Sequence, residues 1–320
     1  MHKSILVIAT LMVLAPAGAQ AQGWPTERPI HIILPITAGS GTDTTARLVA
    51  EKIGQKLKQT IVIDNRPGAA TAIGSTDVAK AKGDGYTLLI NSSALTIIPF
   101  TQKLSYDTLH DLKPIIPLGN VTNVLVATGG KFKTLNDLIA AAKQKPNGLS
   151  YVSVGLGSTA QLTAERFGRA AGFKALGVPF KGAPGGLKEV IAGRVDFYFC
   201  PLLPALSLIR DGKIDALAVS SSSRSSLLPK VPTIAEAGYP EATYDFWIGM
   251  LAPGSTPDVI ADRLYAEAKA ALEQPELKER LGRMGEEPMP MTRQQFVEFV
   301  GKDLARNAQL IKDANLAPKQ

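Results

Sequence analysis

One cysteine, Cys200, and three histidines, His2, His31 and His110, are all the thiols and imidazoles in this 320-residue chain. A single thiol closes no intramolecular disulfide, so the stapled frameworks of small secreted domains are excluded and the fold must rest on its hydrophobic core. His31 falls inside a predicted strand and His110 in a polar loop without a second His or Cys beside it, which leaves no metal-ligand set. There is no Gly-x-Ser-x-Gly elbow, no phosphate loop ending in Gly-Lys-Ser/Thr and no dinucleotide fingerprint. The expectation is therefore a protein without cofactor, metal or catalytic residue.

Blocks of five or six like charges are missing as well. Lys and Arg are dispersed along predicted helices with Asp and Glu among them, and no aromatic residues interleave with the basic ones. The formal charge of +7 is read as solvated surface with a mild bias towards anions, not as a nucleic-acid-binding face.

Long apolar runs are scarce, and the one at residues 5–15 follows Lys3 and precedes Ala17-Gly18-Ala19-Gln20-Ala21. That run is shorter than the ~20 residues a membrane-spanning helix needs, and the small-x-small ending is a cleavage signal. Residues 1–21 are expected to be a signal peptide, and no Cys follows at the position of a lipid anchor. Cleavage removes Lys3 alone among the charged residues, leaving +6 of the +7 on an exported, soluble protein, expected to be a monomer.

With 45% hydrophobic residues the chain has material for about two domains. Residues 30–34 form an apolar strand, Ala38-Gly39-Ser40-Gly41 a turn, and Thr42 or Asp43 caps a helix whose Ala46, Val49, Ala50, Ile53 and Leu57 share one face. Strands at 60–63 and 86–90 with a small-residue helix between them complete βαβαβ, hence a parallel sheet with its loops at one edge. A second α/β series runs from 123 to about 220, with a glycine turn at Gly155-Leu156-Gly157 and a helix from Ser158. After it come a strand at 246–252 and amphipathic helices at 257–273, 276–284 and 292–314, which need a sheet to cover. The first sheet is the natural partner. The expected lobes are thus 22–122 plus 220–320 and 123–219, two α/β lobes, each a central, mainly parallel sheet flanked by helices, joined by two chain crossings near 122 and 220.

The turns Gly39-Ser40-Gly41-Thr42-Asp43 and Gly155-Leu156-Gly157-Ser158-Thr159 hold equivalent places in the two lobes. A helix start offers unpaired N–H groups and about half a positive charge, and Ser or Thr adds donors, so facing turns could pinch one carboxylate. Alternatively, these residues only cap their own helices. Cys200, after Phe197-Tyr198-Phe199, has the character of a small buried residue more than of a reactive thiol.

In order along the chain, Gly-Ser-Gly-Thr-Asp, Asn65-Arg66-Pro67-Gly68-Ala69, Asp84-Gly85-Tyr86-Thr87-Leu88-Leu89, Pro179-Phe180-Lys181-Gly182, Gly193-Arg194-Val195-Asp196 and Pro232-Thr233-Ile234-Ala235-Glu236-Ala237-Gly238 appear together. On these motifs the chain resembles the Bug-type periplasmic receptors, the solute-binding components of tripartite tricarboxylate transporters. The resemblance implies a type II, Venus-flytrap periplasmic binding protein that captures a small organic carboxylate for the membrane components of such a transporter. It places Ala38, Gly39, Ser40, Gly41, Thr42, Asp43, Ser92 and Ser93 on one side of the cleft and Ser153, Gly157, Ser158, Thr159 and Lys181 on the other. Phe180 and Trp247 are candidate flat surfaces for the ligand body. Leu156, Cys200-Pro201, Ala70 and Ala72 depart from the family pattern, with Cys200 at a position that usually supplies a polar ligand partner. The rival functions are a cleft enzyme acting on a carboxylate and a sensory receptor without a transport role.

Overall fold

The computed structural model describes residues 23–144, 148–155, 158–180 and 182–313. The expected signal peptide and two expected site residues, Gly157 and Lys181, lie outside them. Strand β1 (Ile30–Leu34) leads through a turn into α1 (Gly41–Leu57). Ser40 caps α1 by accepting a hydrogen bond from the Asp43 N–H, and Lys58 closes it in a left-handed conformation. The predicted face of Ala46, Val49, Ala50, Ile53 and Leu57 is buried against the sheet. Then follow β2 (Ile61–Asn65), α2 (Ala72–Ala79), β3 (Thr87–Ser92) and β4 (Leu112–Val121).

Thr122 carries the chain into a second unit of β5 (Asn123–Thr128), α3 (Leu135–Gln144), β6 (Leu149–Ser153), α4 (Thr159–Ala171), β7 (Ala175–Pro179), α5 (Ala183–Ile191), β8 (Phe197–Pro201), α6 (Leu202–Arg210) and β9 (Ile214–Val219). The chain returns as β10 (Phe246–Pro253), α7 (Asp258–Leu272), α8 (Pro275–Arg283), β11 (Glu286–Glu287) and α9 (Arg293–Asp313). Two sheets result, ordered β11-β4-β10-β3-β1-β2 and β7-β6-β8-β5-β9. Each is covered by helices and has apolar clusters on its faces.

The architecture is the expected two-lobed α/β, and in each sheet most strands share one direction while a minority run against them. Both sheets are mixed. β1 pairs in parallel with β2 and β3, whereas β10 runs antiparallel to β3 and β4, and β5 runs antiparallel to β8 and β9. The cause is the chain's route between the sheets: β5 and β10 are each the first strand laid down after a crossing and run against the βαβ strands, whereas β4, antiparallel to β10, runs the same way as β3.

β4 is the element the periodicity does not reveal, because Pro114 and Pro117 interrupt it and proline cannot donate to a ladder. Its pairing with β10 steps from Gly119 to Pro117 and from Ile116 to Pro114, two irregularities that leave Leu118 and Ile115 as extra residues. Such bulges let a proline-bearing strand sit inside a sheet.

Backbone hydrogen bonds lace the crossing. Leu202 N–H donates to Thr122 O at 3.0 Å, Ser220 N–H to Asn123 O at 2.9 Å, and Tyr244 N–H to Ser220 O at 2.8 Å.

Candidate functional site

Between the lobes lies a cavity of about 340 Å³. From the second lobe it receives Ser158, Thr159 and Ala160 at the start of α4 and Gly182 and Ala183 at the start of α5. Two helices thus begin on one hollow, each presenting backbone N–H groups that have no partner within the helix. Ser158 caps α4, its hydroxyl accepting from Gln161 N–H at 3.4 Å. No side chain caps α5, whose N-cap, Gly182, takes φ +79°. The summed dipoles of the two helix starts place positive potential here.

The remaining walls are apolar or amide. Val121 and Phe246 come from β4 and β10, Asn123 from β5, Val154 from the turn after β6, and Tyr198, Phe199 and Pro201 from β8. Among the described residues no Lys, Arg, Asp or Glu lines the cavity. Burial pushes the Tyr198 phenol, like the nearby Cys200 thiol, well above its usual range, so both are neutral groups.

Of the expected site residues, Ser158 and Thr159 therefore meet at this cavity. Ser153 stands at the end of β6, its Oγ 3.3 Å from the Gly155 N–H. Phe180 is half-buried on the second-lobe core and donates its N–H to Ser153 O at 2.7 Å. Cys200 has no exposed surface and packs in the same core with Sγ 3.9 Å from Val124 O, so it presents nothing to the cavity. Trp247 is likewise fully buried, edge-on to Phe296, with its indole N–H on Asp303 at 3.0 Å.

The first-lobe turn has another geometry. Ala38, Gly39, Ser40, Gly41, Thr42 and Asp43 do not line the cavity. Gly39 and Gly41 face open space, and Gly39 sits at φ +81°. Asp43 is enclosed by the turn it organises: Oδ2 accepts from Gly39 N–H at 2.9 Å and Arg47 Nε at 3.0 Å, and Oδ1 from Asn65 Nδ2 at 2.9 Å. Burial pushes its carboxyl up, but Arg47, Gly39 and Asn65 together outweigh this and hold it below its ordinary value. Ser92 caps the short 3-10 turn after β3, accepting from Ala94 N–H at 3.4 Å, and Ser93 is fully buried with Oγ 3.1 Å from Tyr244 Oη.

Residues that sequence reasoning missed are Val121, Asn123, Val154, Ala160, Gly182, Ala183, Tyr198, Phe199, Pro201 and Phe246. A signal was present for two groups of them. The crossing near 122 put Val121 and Asn123 at the lobe boundary, and the glycine before Ala183-Pro184 marked a second uncapped helix start beside the Pro179-Phe180 strand end.

The sequence pattern of the family described as "Tripartite tricarboxylate transporter family receptor" matches residues 45–316. The chain is 34% identical to Protein BugT of Bordetella pertussis over 313 residues, 96% of this chain and 95% of that protein. Its fold is similar to a TctC solute-binding protein from Polaromonas, with a TM-score of 0.82 at 28% identity over 91% of this chain and 99% of that one. It is also similar to R. palustris Rpa4515 with adipate, with a TM-score of 0.74 at 33% identity over 92% of this chain and 100% of that one.

Proposed function

Since the chain belongs to the tripartite tricarboxylate transporter receptor family, we propose that its solute is a small organic carboxylate with a sizeable apolar body. The carboxylate is held in the interlobe cavity and passed to the membrane components of a tripartite tricarboxylate-type transporter. Members of this family are solute-binding proteins of the periplasm, and catalysis is no part of the reading. No helix among the described residues is long and apolar enough to cross a membrane.

One observation carries the ligand class: two helix N-termini open on a cavity whose other walls are largely aromatic and aliphatic. The helix ends and the Ser158 and Thr159 hydroxyls suit one carboxylate, and Val121, Tyr198, Phe199 and Phe246 suit hydrocarbon. That a similar protein was solved with adipate, an aliphatic dicarboxylate, supports the same class. The lobes, taken as 22–122 plus 220–320 and 123–219, close on the solute by turning at Thr122 and Ser220.

Mass spectrometry of the purified protein and a calorimetric screen of adipate, benzoate and longer aliphatic carboxylates test this. A solute at about 100 times its dissociation constant adds about 2.7 kcal/mol to stability, which a melting experiment reads directly. A carboxylate recovered unchanged supports a receptor, turnover would support the enzyme alternative, and silence across the screen would remove the carboxylate.

A further inference from the structure

Arg166 lies in the middle of α4, in the second lobe, yet its guanidinium is committed elsewhere. One nitrogen donates to Thr243 O at 2.7 Å, on the segment leading into β10, and another to Asn307 Oδ1 at 2.9 Å, on α9. The group lies 5.0 Å from the centroid of the Tyr244 ring, and the residue is 7% exposed. The network continues into the first lobe: Asn307 Nδ2 donates to Thr96 Oγ1 at 3.0 Å, the Thr96 hydroxyl to Asp303 Oδ2 at 2.7 Å, and Trp247 Nε1 to the same oxygen at 3.0 Å. Asp303 supplies the countercharge that a cation removed from water requires. Beside it, Leu162 of α4 packs with Ile97, Leu310 and Ile311.

With chain crossings alone at Thr122 and Ser220, the lobes would turn freely about two strands. The planar fork of Arg166 ties α4 at once to α9 in the first lobe and to the Thr243 carbonyl at the chain crossing, a geometry a lysine cannot reproduce. Arg166 stands about 12 Å along the helix axis from the Ser158 cap, at about 1.5 Å per residue. The Tyr244 ring beside the guanidinium is itself held on the first lobe, its phenol oxygen 3.1 Å from Ser93 Oγ.

We propose that Arg166 is a positioning residue that pins α4 to α9 and to the Thr243–Tyr244 segment. The cavity-facing start of α4 then keeps a fixed relation to the first lobe, and closure turns about this contact. Arg166 touches no solute and acts through the helix that carries Ser158 and Thr159.

Spin labels test the proposal without any ligand, so it stands or falls apart from the identity of the solute. The native thiol, Cys200, is fully buried, which leaves Lys56→Cys on α1 and Leu176→Cys on β7 as an interlobe pair and Lys56→Cys with Val259→Cys on α7 as a first-lobe control. Pulsed electron resonance should give a narrow interlobe distribution in the parent. In Arg166→Met it should broaden and lengthen by several ångströms, while the control pair stays unchanged. Arg166→Lys should resemble the methionine variant more than the parent. A merely structural role would lower the melting temperature and leave the interlobe distances of folded molecules alone. If Arg166→Met does not fold, Asn307→Leu, which removes one of the two Arg166 hydrogen bonds together with the bond from Asn307 to Thr96 and leaves the cation in place, should show the same broadening in smaller degree. Interlobe distributions that superimpose on the parent in every folded variant would overturn the proposal.

Discussion

The carboxyl of Glu286, on β11, meets the hydroxyl of Thr45 in the first turns of α1, and its second oxygen has no hydrogen-bond partner. Thr45 is the donor to that carboxyl oxygen, and its Oγ1 also lies 3.1 Å from Gly41 O. Burial raises the Glu286 pKa to about 7 against a lowering contribution from the Thr45 hydrogen bond.

The first prediction concerns stability and pH. Between the ordinary value of 4.5 and the folded value of about 7, the native protein keeps a proton that the unfolded chain releases. The stabilisation is full below about pH 4.5 and is lost as the pH rises towards 7, a total of roughly 3 kcal/mol at about 1.36 kcal/mol per unit. Glu286→Gln, which mimics the neutral acid, should therefore gain on the parent by up to about 3 kcal/mol in urea unfolding at pH 8 compared with pH 5. An equal difference between the two proteins at both pH values would refute it.

Second, Ser158 and Ser40 cap corresponding helices, but only Ser158 lines the cavity. Each change to alanine should cost about 0.5 to 2 kcal/mol of stability through the lost cap. Ser158→Ala should also weaken carboxylate binding by about 0.5 to 3 kcal/mol, the range for hydrogen bonds from neutral to charged partners. Calorimetry of Ser40→Ala should return the parent affinity. A loss in both variants would mean that the first-lobe turn shares the solute.

How far the sequence reached follows from what each residue signals by itself. The α1 face repeats at helical spacing, so its burial is legible, as are β1 and β3 from short apolar runs. β4 is not, because its prolines contradict strand propensity and are accommodated only by bulges against β10. For the site, capping chemistry pointed to Ser158 and Thr159, whereas Phe246 and Tyr198 read as core residues until the meeting of two sheets makes them walls. Nor does a lone Asp43 reveal that Arg47, Gly39 and Asn65 will occupy it.

Third, the first-lobe core should reject a methyl group at Gly249. A Cβ there would stand 2.5 Å from Phe296 Cζ and 3.1 Å from the Trp247 ring, both fully buried. Neither aromatic has room to retreat, so Gly249→Ala should destabilise by about 1 to 3 kcal/mol, the usual cost of overpacking. Phe296→Leu in the same chain should recover part of that loss, and strictly additive effects in the double variant would argue against the contact.

The fourth prediction is that aromatic and longer aliphatic carboxylates bind better than aspartate or glutamate. An amino-acid solute carries an ammonium group, and a charge taken into a cavity without an anionic or strongly accepting partner is costly. Among the described residues the cavity offers Asn123 and the hydroxyls of Ser158, Thr159 and Tyr198, but no carboxylate. Asp43, the nearest candidate by sequence, already accepts from three residues within its own turn and its surroundings. Cys200 is sealed in the core with burial keeping its thiol protonated. Phe246, Val121 and Phe199 instead present hydrocarbon, worth about 25 cal/mol for each Å² of apolar ligand surface removed from water. Calorimetry should therefore rank benzoate and adipate above glutamate, and Phe246→Ala should weaken the first two more than it alters the third. Micromolar glutamate binding with no response to benzoate or adipate would place an acceptor in the cavity that these walls do not contain.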